Sequence, residues 1–217
     1  MNLGQFHARV ASALKRGSSL DAMIPFWVAE AARVQEQNYT FSWMVQTTAE
    51  TLPAGNVPLV FPLDPLVKSV NWVKPVLNPG TDGTSWYGEQ LRGVSSDQVQ
   101  GITGGNPQGY WIEGTSGGYV LKFDTVPQAA FSFLIEQNVF TDWPADDAAT
   151  PTLLLRGQLV LFSQTLVLFA QEQRDPRMFD TYSTTLQGAM NLLLRADEEL
   201  KQAHQNDQRM IYGGNQR

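Results

Sequence analysis

Cysteine is absent from the 217 residues, which excludes disulfide stapling and any zinc or nucleophile chemistry built on thiolates. Charge is also scarce. Asp, Glu, Lys and Arg make up 17% of the chain, against about 25% in ordinary domains, so part of the surface is expected to be covered by something other than water. The formal net charge is −6 and Lys15-Arg16 is the sole adjacent basic pair. That balance excludes a dedicated nucleic-acid binder, which needs a clustered basic face to neutralise phosphates. Long apolar runs are missing too. The most apolar stretch, Leu159 to Ala170, is interrupted by Ser163-Gln164-Thr165 and falls short of the ~20 residues of a membrane span. Met1-Asn2-Leu3-Gly4-Gln5 has neither the charged start nor the apolar run of a secretory signal. The chain therefore reads as soluble and without a membrane partner, and the Asn38-Tyr39-Thr40 sequon as irrelevant.

What is present suffices for a real core, since 42% of residues are hydrophobic. Leu3, Phe6, Val10 and Ala13 fall at helical spacing, and Gly17-Ser18-Ser19 closes that helix. A second helix starts near Asp21 and Pro25, lines one face with Ile24, Trp27, Ala31 and Val34, and ends in Gln35-Glu36-Gln37-Asn38. The period then drops to two. Tyr39, Phe41, Trp43, Val45 and Thr47 alternate with Thr40, Ser42, Met44 and Gln46 as in a half-buried strand. Pro53 to Asn56 and Asn78 to Gly83 read as turns, with strands expected over Val57–Leu63 and Leu66–Leu77 and a helical turn over Ser95–Gly101. A hairpin is expected from Tyr110–Glu113 and Tyr119–Phe123, and Phe131, Phe133, Ile135, Gln137 and Val139 alternate again.

Asp142 to Thr150 is a connector into the last third, where two long helical segments meet at Arg174-Asp175-Pro176. From Leu153, polar triplets recur about every seven residues between apolar blocks, giving an unusually wide apolar face. After the break, Phe179, Tyr182, Leu186, Ala189, Leu193, Ala196, Leu200 and Ala203 trace a packed seam. The polar, Gly-ended stretch from Gln205 onward does not extend it. The order of elements predicts an α+β fold: a helical bundle from the N- and C-terminal helices with an inserted antiparallel β-sandwich and an extended C-terminal arm. The corresponding segments are 1–38 and 151–204 for the bundle, 39–150 for the β domain and 205–217 for the arm.

Catalytic signals are thin. His7 and His204 are the two histidines and neither has a ligand-like neighbour at helical spacing. Asp146-Asp147 and Glu198-Glu199 are adjacent in sequence and so do not oppose each other across a bond as glycoside hydrolysis needs. Gly101, Gly104, Gly105 and Gly109 lack the Gly-Lys-Ser/Thr of a phosphate loop, and Ser116 lies in a hairpin turn, not at a strand-to-helix elbow. No catalytic residue, metal or cofactor is expected. Five of six tryptophans, Trp43, Trp72, Trp86, Trp111 and Trp143, fall in the β region, where they can stack on sugars, fill the core or anchor neighbours.

The order of several weak motifs resembles the head-to-tail adaptor (connector) proteins of tailed bacteriophages. The motifs are the helix from Ile24 to Arg33 leading into a Thr-rich strand that ends near Phe61-Pro62-Leu63-Asp64, then Asn106 to Gly114, Leu121-Lys122-Phe123 before Val126-Pro127, and Leu193-Leu194-Arg195-Ala196-Asp197 with an arm ending in Tyr212-Gly213-Gly214. The long Val76 to Trp86 segment departs from that pattern. The resemblance implies a non-enzymatic virion protein of the head-tail neck, assembled in the host cytoplasm as a ring of about twelve copies. It implies docking under the portal protein, contact with the tail or nozzle protein, and genomic DNA passing through an acidic lumen without specific binding. Leu153, Leu159, Phe162, Leu166 and Phe169 are then expected at the subunit interface, and Arg209, Met210, Ile211 and Tyr212 in a portal-binding arm that orders on binding. The alternatives are a carbohydrate-binding β-sandwich on a helical stalk, with Trp86 in the site, and a peptidoglycan hydrolase of a novel type.

Overall fold

The computed structural model describes residues 1–14, 18–54, 60–78, 86–96, 103–116, 118–127 and 129–213, with backbone alone at 18–20, 78, 86, 103 and 204–213. The protein is a mixed α+β chain with antiparallel sheets. It divides into a helical unit, 1–43 with 141–217, and a β unit, 44–140. These bounds lie five and ten residues from the expected 38/39 and 150/151, the first because Phe41 and Trp43 belong with the helical unit. Phe41 is buried and stacks on Trp43 at 4.4 Å, and the Arg156 guanidinium lies 5.6 Å from the Trp43 ring. The alternation at 39–43 is therefore a run of aromatic anchors, and the strand begins only at Val45.

In the helical unit, α1 (Leu3–Leu14) buries Leu3, Phe6, Val10 and Leu14, the last in place of the expected Ala13. Helix α2 (Ile24–Asn38) carries Pro25 in its first turn, where a missing N–H costs nothing. Its Trp27 meets Phe169 edge-on at 5.1 Å and donates its ring N–H to Glu172 at 2.7 Å. The single helix expected from Leu153 is two: α3 (Thr152–Arg156) and α4 (Gln158–Gln173). Gly157 breaks it with φ −120° and ψ 37°, and a Cβ there would sit 2.8 Å from the Leu193 side chain. The break thus coincides with a close approach to α5, where glycine leaves room for the Leu193 side chain.

The wide apolar face of α4 is buried nearly all round, and Ser163, Gln164 and Thr165 are buried with it. In place, Gln35 donates its amide N–H to Gln164 Oε1, and the Thr165 hydroxyl donates to the Leu161 carbonyl at 2.8 Å. Arg174 ends α4 with φ 53°, a left-handed cap, and Asp175 accepts the Met178 N–H at 3.0 Å to start α5 (Pro176–Gly213). The expected break is there.

Along α5 the buried stripe runs through Ala189, Met190, Leu193 and Asp197, while Ala196, Leu200 and Ala203 are exposed. A strict 3.5-residue seam drifts about 20° per heptad on a straight helix, and here the drift turns Asp197 inward. The helix also continues to Gly213, so 205–213 is a helical extension of α5 and not an extended arm. Gln, Arg and Met are good helix formers, and neither Pro nor Gly interrupts 189–212.

In the β unit, one sheet has the order β1 (Val45–Leu52), β10 (Phe131–Val139), β3 (Val67–Asn78), β4 (Trp86–Tyr87). The second has the order β2 (Val60–Pro62), β8 (Gly118–Phe123), β7 (Gly109–Thr115), β5 (Arg92–Gly93). A short parallel pair joins β6 (Thr103–Gly104) to β9 (Thr125–Val126). The β7–β8 hairpin pairs Thr115 with Gly118, tighter than the expected five-residue loop. Residues of both sheets share one core: Val73, Phe131, Phe133 and Ile135 of the first and Tyr110, Leu121 and Phe123 of the second. Phe123 meets Phe133 at 5.2 Å and Phe131 at 5.4 Å. The Gly17 helix stop, most of the 53–56 and 78–83 turns, and most of the 95–101 helical turn lie outside the described residues.

Candidate functional site

The expected interface residues divide. Leu153, Leu166 and Phe169 are buried in the chain's own helical unit, so they are committed to its core and cannot meet a neighbour. Phe162 is half-buried, edge-on to Phe6 and Tyr182 with the Arg9 guanidinium 5.0 Å over its ring. Leu159 is 48% exposed. It is joined by two leucines that periodicity did not single out, Leu155 at 69% and Leu192 at 67%, and by Leu200, expected in the packed seam but 47% exposed. The available signal was the pair of triple-leucine runs, 153–155 and 192–194, each with more leucine than one packed stripe uses. The side chains of Arg209, Met210, Ile211, Tyr212 and His204 lie outside the described residues.

Two buried carboxylates occur at matching places. Ser42, at the end of the first helical segment, donates its N–H to Asp197 at 3.0 Å and its hydroxyl to the same carboxylate. Thr141, where the chain re-enters the helical unit, donates its N–H to Glu36 at 2.9 Å and its hydroxyl as well. Each acid is 2% exposed. Lys201, one turn on from Asp197, pairs with it at 3.0 Å and donates to the Thr40 carbonyl. Burial alone would raise the Asp197 carboxyl, but hydrogen bonds from Ser42 and Lys201 together outweigh it and hold the group below its ordinary value. Such carboxylates accept and position. They are committed to the backbone N–H groups and hydroxyls of Ser42 and Thr141.

Elsewhere His7 Nδ1 meets Asp147 at 3.1 Å within the helical unit. On the β hairpin, hydrogen bonds from Lys122 and then Trp111 hold the Glu113 carboxyl below its usual value. In the β unit a cleft of about 700 Å³ is lined by Gln90, Arg92, Asn106, Gln108, Phe131 and Ser132, among others. Among the described residues no group of three or more His, Asp or Glu side chains could hold a metal ion, and no helix is long and apolar enough to cross a membrane. The glycines once weighed as a phosphate loop are dispersed: Gly104 is in β6, Gly105 follows it at φ 150°, and Gly109 opens β7. No protein-family model matches the chain, and no curated protein matches its sequence.

Proposed function

We propose that the chain is a structural virion protein, a ring-forming head-to-tail adaptor that joins a portal to a tail or nozzle and continues the DNA channel. In this reading the helices form a bundle, the two sheets face each other as a sandwich, and the end of α5 with Arg209 to Tyr212 is the portal-binding element. The observation that supports it best is the set of exposed leucines on separate helices, Leu155 and Leu159 against Leu192 and Leu200. One subunit's surface can then meet a different surface on the next, the requirement for a closed ring. Burying one leucine contributes roughly 1.5–3 kcal/mol, so a few such contacts per junction, repeated round a ring, suffice for cooperative assembly. A net charge of −6 per subunit suits a lumen that DNA passes without adhering.

Mixing the purified protein with portal rings and weighing the product by native mass spectrometry tests this. The wild type is expected to add as a complete ring. The Leu155→Glu, Leu192→Glu double variant is expected to lose ring closure at least ~100-fold with an unchanged melting curve, and deletion of 205–217 to lose portal docking. A double variant that assembles like the wild type would overturn the leucine assignment, and a wild type indifferent to portal rings would overturn the function.

The amide-rich cleft favours a second reading, a carbohydrate-binding module, because planar Gln and Asn side chains pair with vicinal hydroxyls. It predicts glycan-dependent shifts of the amide signals of the cleft residues that Gln108→Ala abolishes. A glycan array without a hit removes that reading.

A further inference from the structure

The open side of the β unit carries a second surface, independent of ring assembly. Strand β1 ends one sheet and β2 ends the other, and among the described residues no strand pairs with the far edge of β1. It is eight residues long with no proline, presenting about 26 Å of backbone donors and acceptors. Its alternate residues Gln46, Thr48 and Glu50 line a groove of about 520 Å³, closed on the other side by Phe61, Leu63 and Asp64.

Two features say what belongs there. Register pairs Thr48 with Ile135 and Glu50 with Phe133 on one face of the sheet. On that face β10 carries Phe133 and Ile135 with Gln137 beyond them, whereas β1 beside it is polar throughout. The residues with ionisable side chains lining the groove are Glu50 and Asp64, both acids. Asp64 is held in place by accepting the Leu66 N–H at 2.7 Å. Phe61 and Leu63 provide an apolar wall along which long aliphatic stems can lie.

We propose that this groove takes an extended polypeptide segment of a partner with Lys or Arg at alternate positions, added as a strand beside β1. The backbone ladder gives the affinity and the two carboxylates select the charge.

The test is a titration of the ¹⁵N-labelled full chain with the synthetic peptide acetyl-Thr-Lys-Val-Lys-Val-Lys-Val-Lys-Thr-amide and with its counterpart carrying Glu for Lys. Shifts are expected at the amides of 46–51 and of Phe61, Leu63 and Asp64, with the lysine peptide at least ~10-fold tighter and weakening as salt is raised. The Glu50→Gln, Asp64→Asn variant is expected to lose that preference while melting as the wild type does. N-methylation of all the lysines or of all the valines blocks opposite edges of the peptide strand, so one set is expected to abolish binding and the other to spare it. Equal binding of both charge types, equal tolerance of both methylated sets, or shifts confined to other residues would overturn the proposal. Shifts at 46–51 that appear on concentrating the protein alone would overturn it in favour of a second copy.

Discussion

Asp197→Ala is expected to lower the unfolding free energy by about 3 kcal/mol, read as a shift of the urea midpoint at constant slope. The substitution leaves the Ser42 N–H and hydroxyl without their acceptor inside a buried site. It also strips Lys201 of its ion pair, which adds little because that side chain is 35% exposed. Because the folded carboxyl lies below its ordinary value, the unfolded chain binds the proton more readily. The stabilisation is therefore complete above the unfolded value of about 3.9 and is lost as pH falls through the folded one. The wild type is expected to lose stability more steeply below about pH 4 than Asp197→Asn, which keeps the shape without the titrating group. Parallel acid limbs for the two would show that the clasp contributes nothing through its charge.

Phe133→Ala is expected to cost more, about 4 kcal/mol. Phe133 is fully buried and contacts three other rings, Phe61 at 5.6 Å, Phe123 at 5.2 Å and Phe131 at 5.7 Å. These come from both sheets, so no single side chain can relax into the space left behind. Tryptophan fluorescence during urea unfolding measures the effect, since Trp72 and Trp111 lie in the same unit. Phe26→Ala is the matched control. That ring is 61% exposed, and its loss is expected to change stability by no more than about 0.5 kcal/mol. Similar costs for the two would mean that the shared aromatic core does not hold the sheets.

Local chemistry was legible where it is self-sufficient. Alternation located β3, β7, β8 and β10 to within a few residues, and Arg174-Asp175-Pro176 announced the turn between the last two helices. Partners remote in sequence were not legible. Gln35 donates to Gln164 across 129 positions, and no window around Ser163 reveals that. The burial of Asp197 was not legible either, because one of its donors, Ser42, lies 155 positions away. Gly157 looks like any helix-weakening glycine until Leu193 occupies the space beside it. For the candidate surface, periodicity identified a leucine-rich helix but assigned its faces wrongly. An apolar stripe reports that something covers it, and tertiary packing decides whether that is the same chain.

The helical unit is assembled from two stretches, 1–43 and 141–217, with the whole β unit encoded between them. On a ribosome adding roughly 5–20 residues per second, the 33 residues from Thr141 to Gln173, the end of α4, take about 2–7 s. Throughout that interval the first two helices have emerged while α4, against which Trp27 and Gln35 pack, is still being translated. The nascent chain thus passes through a stage with a finished β unit and uncovered N-terminal helices, when trigger-type chaperones would find their binding surface and premature contact between neighbouring nascent chains would do the most harm.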